Sequence, residues 1–237
     1  MRFLITKMIA LSVAALITVT LMLSACSGQR TIHPLNPRDL KEVSAEVLME
    51  RSGGSSTILR SSEEGSEFLT NAHVCDGALK SGALIVLDKK VYEVAAIKPS
   101  ERYDLCLMRI NENLGIGVEL SSLTPQVGDD IMVGGYPVGL PIIIQKGHIS
   151  EVLNVSSNPI APIYAIATSV VVQPGYSGSG VFNSQGQLVA VSQMFRYVTK
   201  KDTMGFGLAV PHQYVRRFIN QESEKLPWKN VPRAIAK

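Results

Sequence analysis

The chain has 237 residues, with 23 lysines and arginines against 20 aspartates and glutamates and a formal net charge of +3. Loss of Arg2 and Lys7 with a leader would leave 21 against 20, a balance that offers nucleic acid no electrostatic footprint. The remaining length, about 210 residues, suits one all-β unit of two sub-barrels or two small domains, whose core needs no disulfide staples.

Met1–Lys7 is basic and Met8–Leu23 is almost wholly apolar, and small residues follow. That order marks a secretory signal, and the apolar run is short for a membrane span of roughly 20 residues. Leu23-Ser24-Ala25-Cys26 resembles the bacterial lipobox. The resemblance implies a lipoprotein signal peptide over 1–25 and lipidation at Cys26, with palmitate among the acyl chains. Two or more chains would hold a folded domain stably at a membrane surface, facing the periplasm or exterior. Ser27 in place of Asp favours the outer membrane, in a source that has one. Residues 26–45 are polar, contain Pro34 and Pro37, and are read as a tether.

From Glu46 onward short apolar or alternating runs recur between Gly, Ser, Asn and Asp. They predict strands at Glu46–Arg51, Ser56–Arg60, Glu67–Thr70, Ala83–Leu87, Val91–Ile97 and Leu105–Ile110. A second set covers Asp130–Gly134, Ile142–His148, Ser150–Asn154, Ile163–Thr168, Gly180–Phe182, Leu188–Met194 and Phe206–Val210. Many short strands with regular turn signals imply a sandwich or barrel. One good helix is expected, His212–Gln221 behind Pro211, because Tyr214, Val215, Phe218 and Ile219 share a face. Residues 222–237 form a short polar tail.

Three segments carry chemistry. His73 ends the apolar run Phe68-Leu69-Thr70-Asn71-Ala72, where a histidine by itself is an ordinary surface residue. Asp104 immediately precedes the run Leu105–Ile110, where an aspartate commonly satisfies a turn. Ser177 lies in Gly175-Tyr176-Ser177-Gly178-Ser179-Gly180, and flanking glycines let backbone N–H groups converge on a developing oxyanion. His, Asp and Ser in that order, each at the edge of a predicted strand, follow the chain order of chymotrypsin-type triads.

With those residues in hand, the chain resembles the trypsin-like serine peptidases, nearest the HtrA/Deg branch and bacterial glutamyl endopeptidases. Leu69–Val74 is similar to LTNAHV, Asp104–Leu107 to DLAL, and Gly175–Ser179 to GNSGG or GNSGS. Gly54–Ile58, Val127–Asp129, Gly134–Gly139, Gly147–Ser150 and Gly205–Pro211 extend the similarity over about Glu46 to Gln221. Two departures stand out. Tyr176 replaces the usual Asn or Asp, at a position whose side chain the chemistry does not require. Gly180 replaces a common Pro, which should loosen the turn.

The resemblance implies two six-stranded antiparallel Greek-key barrels with a C-terminal helix, a chymotrypsin-like arrangement. The sub-barrels would cover about 46–122 and 123–221, with no PDZ domain. It further implies a serine endopeptidase acting on protein or peptide substrates of the envelope. Ser177 would be the nucleophile, His73 the general base and Asp104 its orienting acid, with the Gly175 and Ser177 N–H groups as oxyanion hole. Val171 would lie near the floor of the substrate pocket, with Ser192, Gln193 and Met194 as its wall. No acid stands there for a basic residue, and no histidine at Gln193 for an acidic one, so a small or medium apolar residue is expected before the scissile bond. Cys75 and Cys106 each lie two residues beyond a triad member, and are either a disulfide bracing His73 against Asp104 or two buried thiols. His33, His148 and His212 have no ligand spacing, so neither metal nor cofactor is expected. The alternatives are a catalytically inactive lipoprotein that binds through a peptidase fold, and a structural envelope lipoprotein. Oligomeric state is not legible.

Overall fold

The computed structural model describes residues 30–32, 37–137, 140–155, 164–197, 205–222 and 225–234. Residues 1–25, read from the sequence as a signal peptide, lie outside the described residues, as do Cys26 and His33. The chain runs through β1 (Arg30–Ile32), α1 (Pro37–Val43), β2 (Ser44–Leu48), β3 (Gly53–Ser62), β4 (Gly65–Thr70) and α2 (Ala72–Ser81). Then follow β5 (Leu84–Leu87), β6 (Lys90–Glu93), β7 (Ala96–Pro99), β8 (Cys106–Ile110) and β9 (Ile116–Val118). The second half holds β10 (Asp130–Gly135), β11 (Ile143–Asn154), β12 (Tyr164–Thr168), β13 (Gly180–Asn183), β14 (Leu188–Tyr197) and β15 (Gly205–Pro211). It closes with α3 (His212–Arg217), a π-helical turn (Phe218–Glu222) and β16 (Lys229–Asn230).

The fold is all-β and chymotrypsin-like, but its two halves differ. The second is a closed six-stranded barrel in the order β10-β11-β12-β15-β14-β13. The first is an open eight-stranded sheet, β16-β7-β8-β4-β3-β2-β5-β6, rather than a closed six-stranded barrel. Two features extend it: β16 pairs with β7, and the hairpin β5–β6 lies beyond β2.

Several elements depart from the sequence reading. Residues 37–45, read as tether, belong to the fold: Leu40 and Val43 are fully buried because α1 lays one face on the core, and Ala45 is fully buried in β2. Helix α2 is unpredicted. Its buried face is only Val74, Cys75 and Ala78, and Gly77 interrupts the periodicity because a Cβ there would meet Met49 Sδ at 2.7 Å. In the tail, read only as short and polar, Lys229 and Asn230 form a strand that pairs with Ile97 and Ala96 of the first half.

Two apolar clusters hold the halves. One contains Ile58, Phe68, Leu107 and Met108 together with Phe182, Leu188, Val215 and Phe218, so it spans the junction. Phe218 is fully buried, which contributes about 2–3 kcal/mol relative to exposure. The other fills the second barrel with Ile131, Val133, Ile149, Ile166 and Val181.

Candidate active site

Short hydroxyl side chains build the seam between the halves. Gly54, Ser55, Ser56 and Thr57 of β3 are buried, and their small size lets the opposing backbone come within bonding reach. Ser55 N donates to Ser177 O at 2.8 Å, and Ser55 Oγ donates to Gly175 O at 2.7 Å. Ser55 Oγ also accepts from Tyr136 N at 2.9 Å. Gly180 N donates to Thr57 Oγ1 at 2.8 Å. A proline at 180 would have no N–H to give, so Gly180 fixes the turn where a loosening was expected.

His73 stands in the first turn of α2, not at a strand end. Its Nδ1 lies 2.9 Å from Asp104 Oδ2 and 3.1 Å from Oδ1, and its backbone N–H donates to Oδ1 at 3.1 Å. One carboxylate therefore holds the imidazole and also caps the positive end of the helix that carries it. Asn71, the residue before α2, makes no side-chain cap of its own. Its Nδ2 donates instead to Asp104 O at 2.8 Å, tying the helix start to the Asp104 turn.

The electrostatics follow from this contact. The hydrogen bond to Asp104 raises the His73 pKa above its ordinary value, against the lowering effect of burial. Burial pushes the Asp104 carboxyl up, but the hydrogen bond and charge of His73 and the side chain of Gln193 outweigh it, and the net shift is down. Both shifts favour the ion pair. Sequence reasoning had Gln193 only as pocket wall; its bond to Asp104 is a role that no local signal marks.

Ser177 enters the seam from the second barrel. Gly175 and Gly178 on either side adopt φ values of 100° and 92°, which only glycine takes without strain. A Cβ on Gly178 would overlap Ser55 O and Thr70 Oγ1. Among the described residues neither the Gly175 nor the Ser177 N–H donates a hydrogen bond, so both remain open to an incoming acceptor. Ser177 Oγ donates to Gln193 O at 2.9 Å, and no bond between Ser177 and His73 occurs among the described residues.

The remaining candidates are spread around this centre. Ser192 is buried and pairs with the loop: its N donates to Ser179 O at 2.8 Å and its O accepts from Gly178 N at 2.9 Å. Val171 is 51% exposed between the buried Val170 and Val172, so its side chain faces outward. The side chain of Met194 lies outside the described residues. Cys75 and Cys106 form a disulfide with Cα atoms 6.5 Å apart, joining α2 to β8 just behind His73 and Asp104. His148 is exposed on β11 and His212 is buried at the start of α3. Among the described residues no three His, Cys, Asp or Glu side chains cluster as a metal site.

The His73–Asp104 pair comes from the first half and the glycine-flanked Ser177 from the second. The family described as trypsin-like peptidase domain matches residues 54–191, more than half of the chain. The chain belongs to that family. It is 30% identical to a putative serine protease, HhoA, of Synechocystis sp. over 158 residues, 64% of this chain and 39% of the relative. It is 25% identical to the serine endoprotease DegS of Salmonella typhimurium over 189 residues, 78% of this chain and 52% of the relative. The chain thus spans about two-fifths to half of these curated relatives. A crystal structure of the serine endoprotease from Yersinia pestis superposes with a TM-score of 0.64 at 20% identity, covering 83% of this chain and 68% of that one. At that identity the likeness concerns the fold.

Proposed function

We propose that the chain is a serine endopeptidase that hydrolyses peptide bonds of envelope or secreted proteins, held at the cell envelope through a lipid on Cys26. Ser177 attacks the scissile carbonyl, and His73 takes its proton and returns it to the leaving amine. Asp104 keeps the imidazole in the tautomer that accepts at Nε2 and stabilises the cation that forms. The Gly175 and Ser177 N–H groups receive the oxyanion, after which water hydrolyses the acyl-enzyme by the same route. The single observation that carries the reading is the His73–Asp104 contact at 2.9 Å in a seam where Ser177 O is bonded to Ser55 N at 2.8 Å. For the substrate we infer a small or medium apolar residue before the scissile bond.

A second reading draws support from the Ser177 hydroxyl, which is engaged by Gln193 O. On it, the chain is an inactive peptidase-fold lipoprotein that binds peptides in the same seam. Labelling by a fluorophosphonate separates the two. The endopeptidase reading expects wild type to label and Ser177→Ala to stay unlabelled; equal labelling, or none at all, would discard it. Metabolic incorporation of palmitate into wild type and its loss in Cys26→Ala tests the anchor.

A further inference from the structure

Tyr176, directly before Ser177, is 1% exposed and among the largest fully buried side chains. Its ring lies against Gly135 of β10, where an added Cβ would overlap the ring carbons, so the tyrosine enters only because residue 135 is glycine. The hydroxyl at the far end donates to Ile143 O at 3.0 Å and accepts from Gln145 Nε2 at 2.9 Å. Gln145 in turn engages both backbone groups of Val171: Nε2 donates to Val171 O at 2.7 Å and Oε1 accepts from Val171 N at 3.2 Å. One side-chain amide thus binds residue 171 as a neighbouring strand would. The network runs from the loop of the nucleophile, through β11, to a segment that the core does not otherwise grip at Val171.

We propose that Tyr176 and Gln145 are a positioning pair, which fixes the Gly175–Ser177 amides relative to the segment at Val171. The proposal rests on the peptidase reading above and adds to it two side chains whose hydrogen bonds go to neither Ser177 nor His73. A scissile carbonyl must meet Ser177 and the two amides while the neighbouring side chain of the substrate sits beside the 171–175 segment. A relative shift of about 1 Å between the two is enough to spoil a reactive geometry. Within the segment itself the turn is closed by Tyr176 N donating to Gln173 O at 3.0 Å, which leaves Val171 to the Gln145 amide. Burial raises the Tyr176 pKa, so the hydroxyl keeps its proton and its bond to Ile143 well into alkaline solution.

Two variants and two measurements test this. Tyr176→Phe keeps the ring in place and removes only the hydroxyl; Gln145→Ala releases Val171. On peptide substrates we expect Tyr176→Phe to lower kcat/KM about tenfold and Gln145→Ala to act mainly by raising KM. The melting temperature should stay near that of wild type, and the pH inflection should not move, because the His73–Asp104 pair is untouched. Hydrogen exchange, measured on a Ser177→Ala background, needs no activity. There the Val171 amide should exchange about tenfold faster in Gln145→Ala and detectably faster in Tyr176→Phe. Wild-type kinetics in Tyr176→Phe, or an unchanged Val171 amide in that variant, overturns the proposal. A wild-type chain that neither labels nor cleaves defeats the peptidase reading, and the exchange data still decide whether the two segments are coupled.

Discussion

Ser177 Oγ donates to the main-chain oxygen of Gln193 at 2.9 Å, while the Nδ1 of His73 is engaged by Asp104 at the same distance. Nucleophilic attack requires the serine hydroxyl to leave that carbonyl and turn to the imidazole. The change is a rotation about χ1 between staggered wells, which a small unbranched side chain makes readily. A crystal structure of the phosphonylated protein should therefore have Ser177 Oγ carrying the adduct and parted from the Gln193 oxygen, with the phosphoryl oxygen on the Gly175 and Ser177 amides. An adduct on another residue would contradict the assignment of the nucleophile.

The pH dependence has a definite sign. The proposed mechanism needs neutral His73, and its pKa is raised, so kcat/KM should climb through an inflection above the ordinary imidazole value of about 6.5. Asp104→Asn removes the cause of that shift; the inflection should fall and the rate should drop by roughly four orders of magnitude. Gln193→Ala should move the inflection the other way, because loss of its bond leaves more of the carboxylate's charge for the imidazole. Stability follows the same pair. The raised His73 pKa contributes below its unfolded value, and that contribution is lost as pH rises through the folded value. The lowered Asp104 pKa contributes above its unfolded value and is lost as pH falls through the folded one. Titration of His73 by NMR decides the matter, and an inflection below 6.5 in wild type would refute the coupling.

The disulfide joins residues 31 apart in sequence. The chain-entropy account gives a loop of that size about 3–4 kcal/mol, which corresponds to about 10 °C in a domain of this length. Cys75→Ala combined with Cys106→Ala should melt lower by about that much. Unchanged melting of the double variant, or of wild type in strong reductant, would mean that the bridge does not stabilise the fold.

The tail carries the sole tryptophan. Lys98 Nζ and Arg109 Cζ each stand 4.5 Å from the centre of the Trp228 ring, and β16 adds to β7 just beyond it. Trp228→Ala should cost about 1–2 kcal/mol through lost cation–π contact and packing. Because tryptophan emission comes from this residue alone, its red shift in urea should coincide with the loss of far-UV circular dichroism. An emission change that precedes the loss of the sheet would indicate a tail that detaches by itself.

Much of this was legible in local pattern. The strands at Glu67–Thr70 and Leu105–Ile110 were found because apolar residues repeat between turn formers, and both are nearly fully buried. Helix α2 was not, because its stability comes from the Asp104 carboxylate at its first turn and from packing of three residues, not from periodicity. The run Val91–Ile97 divides into β6 and β7, since Val94 N turns to Ala83 O and Ala95 N to Arg109 O. Tyr176 seemed dispensable, because nothing near it in sequence shows Gly135 making room for it or Gln145 bonding to it.

The sequence by itself determined the all-β class, the order of His73, Asp104 and Ser177, and the glycines that the Ser177 loop needs. Those are matters of residue type and short-range spacing. Only the tertiary structure decided that Ser55 binds the Gly175 carbonyl across 120 residues, that Gln193 engages both Ser177 and Asp104, and that the tail closes on β7. Such contacts depend on how two independently patterned halves dock, and docking geometry is set by side-chain volume and hydrogen-bond direction, which no local repeat encodes.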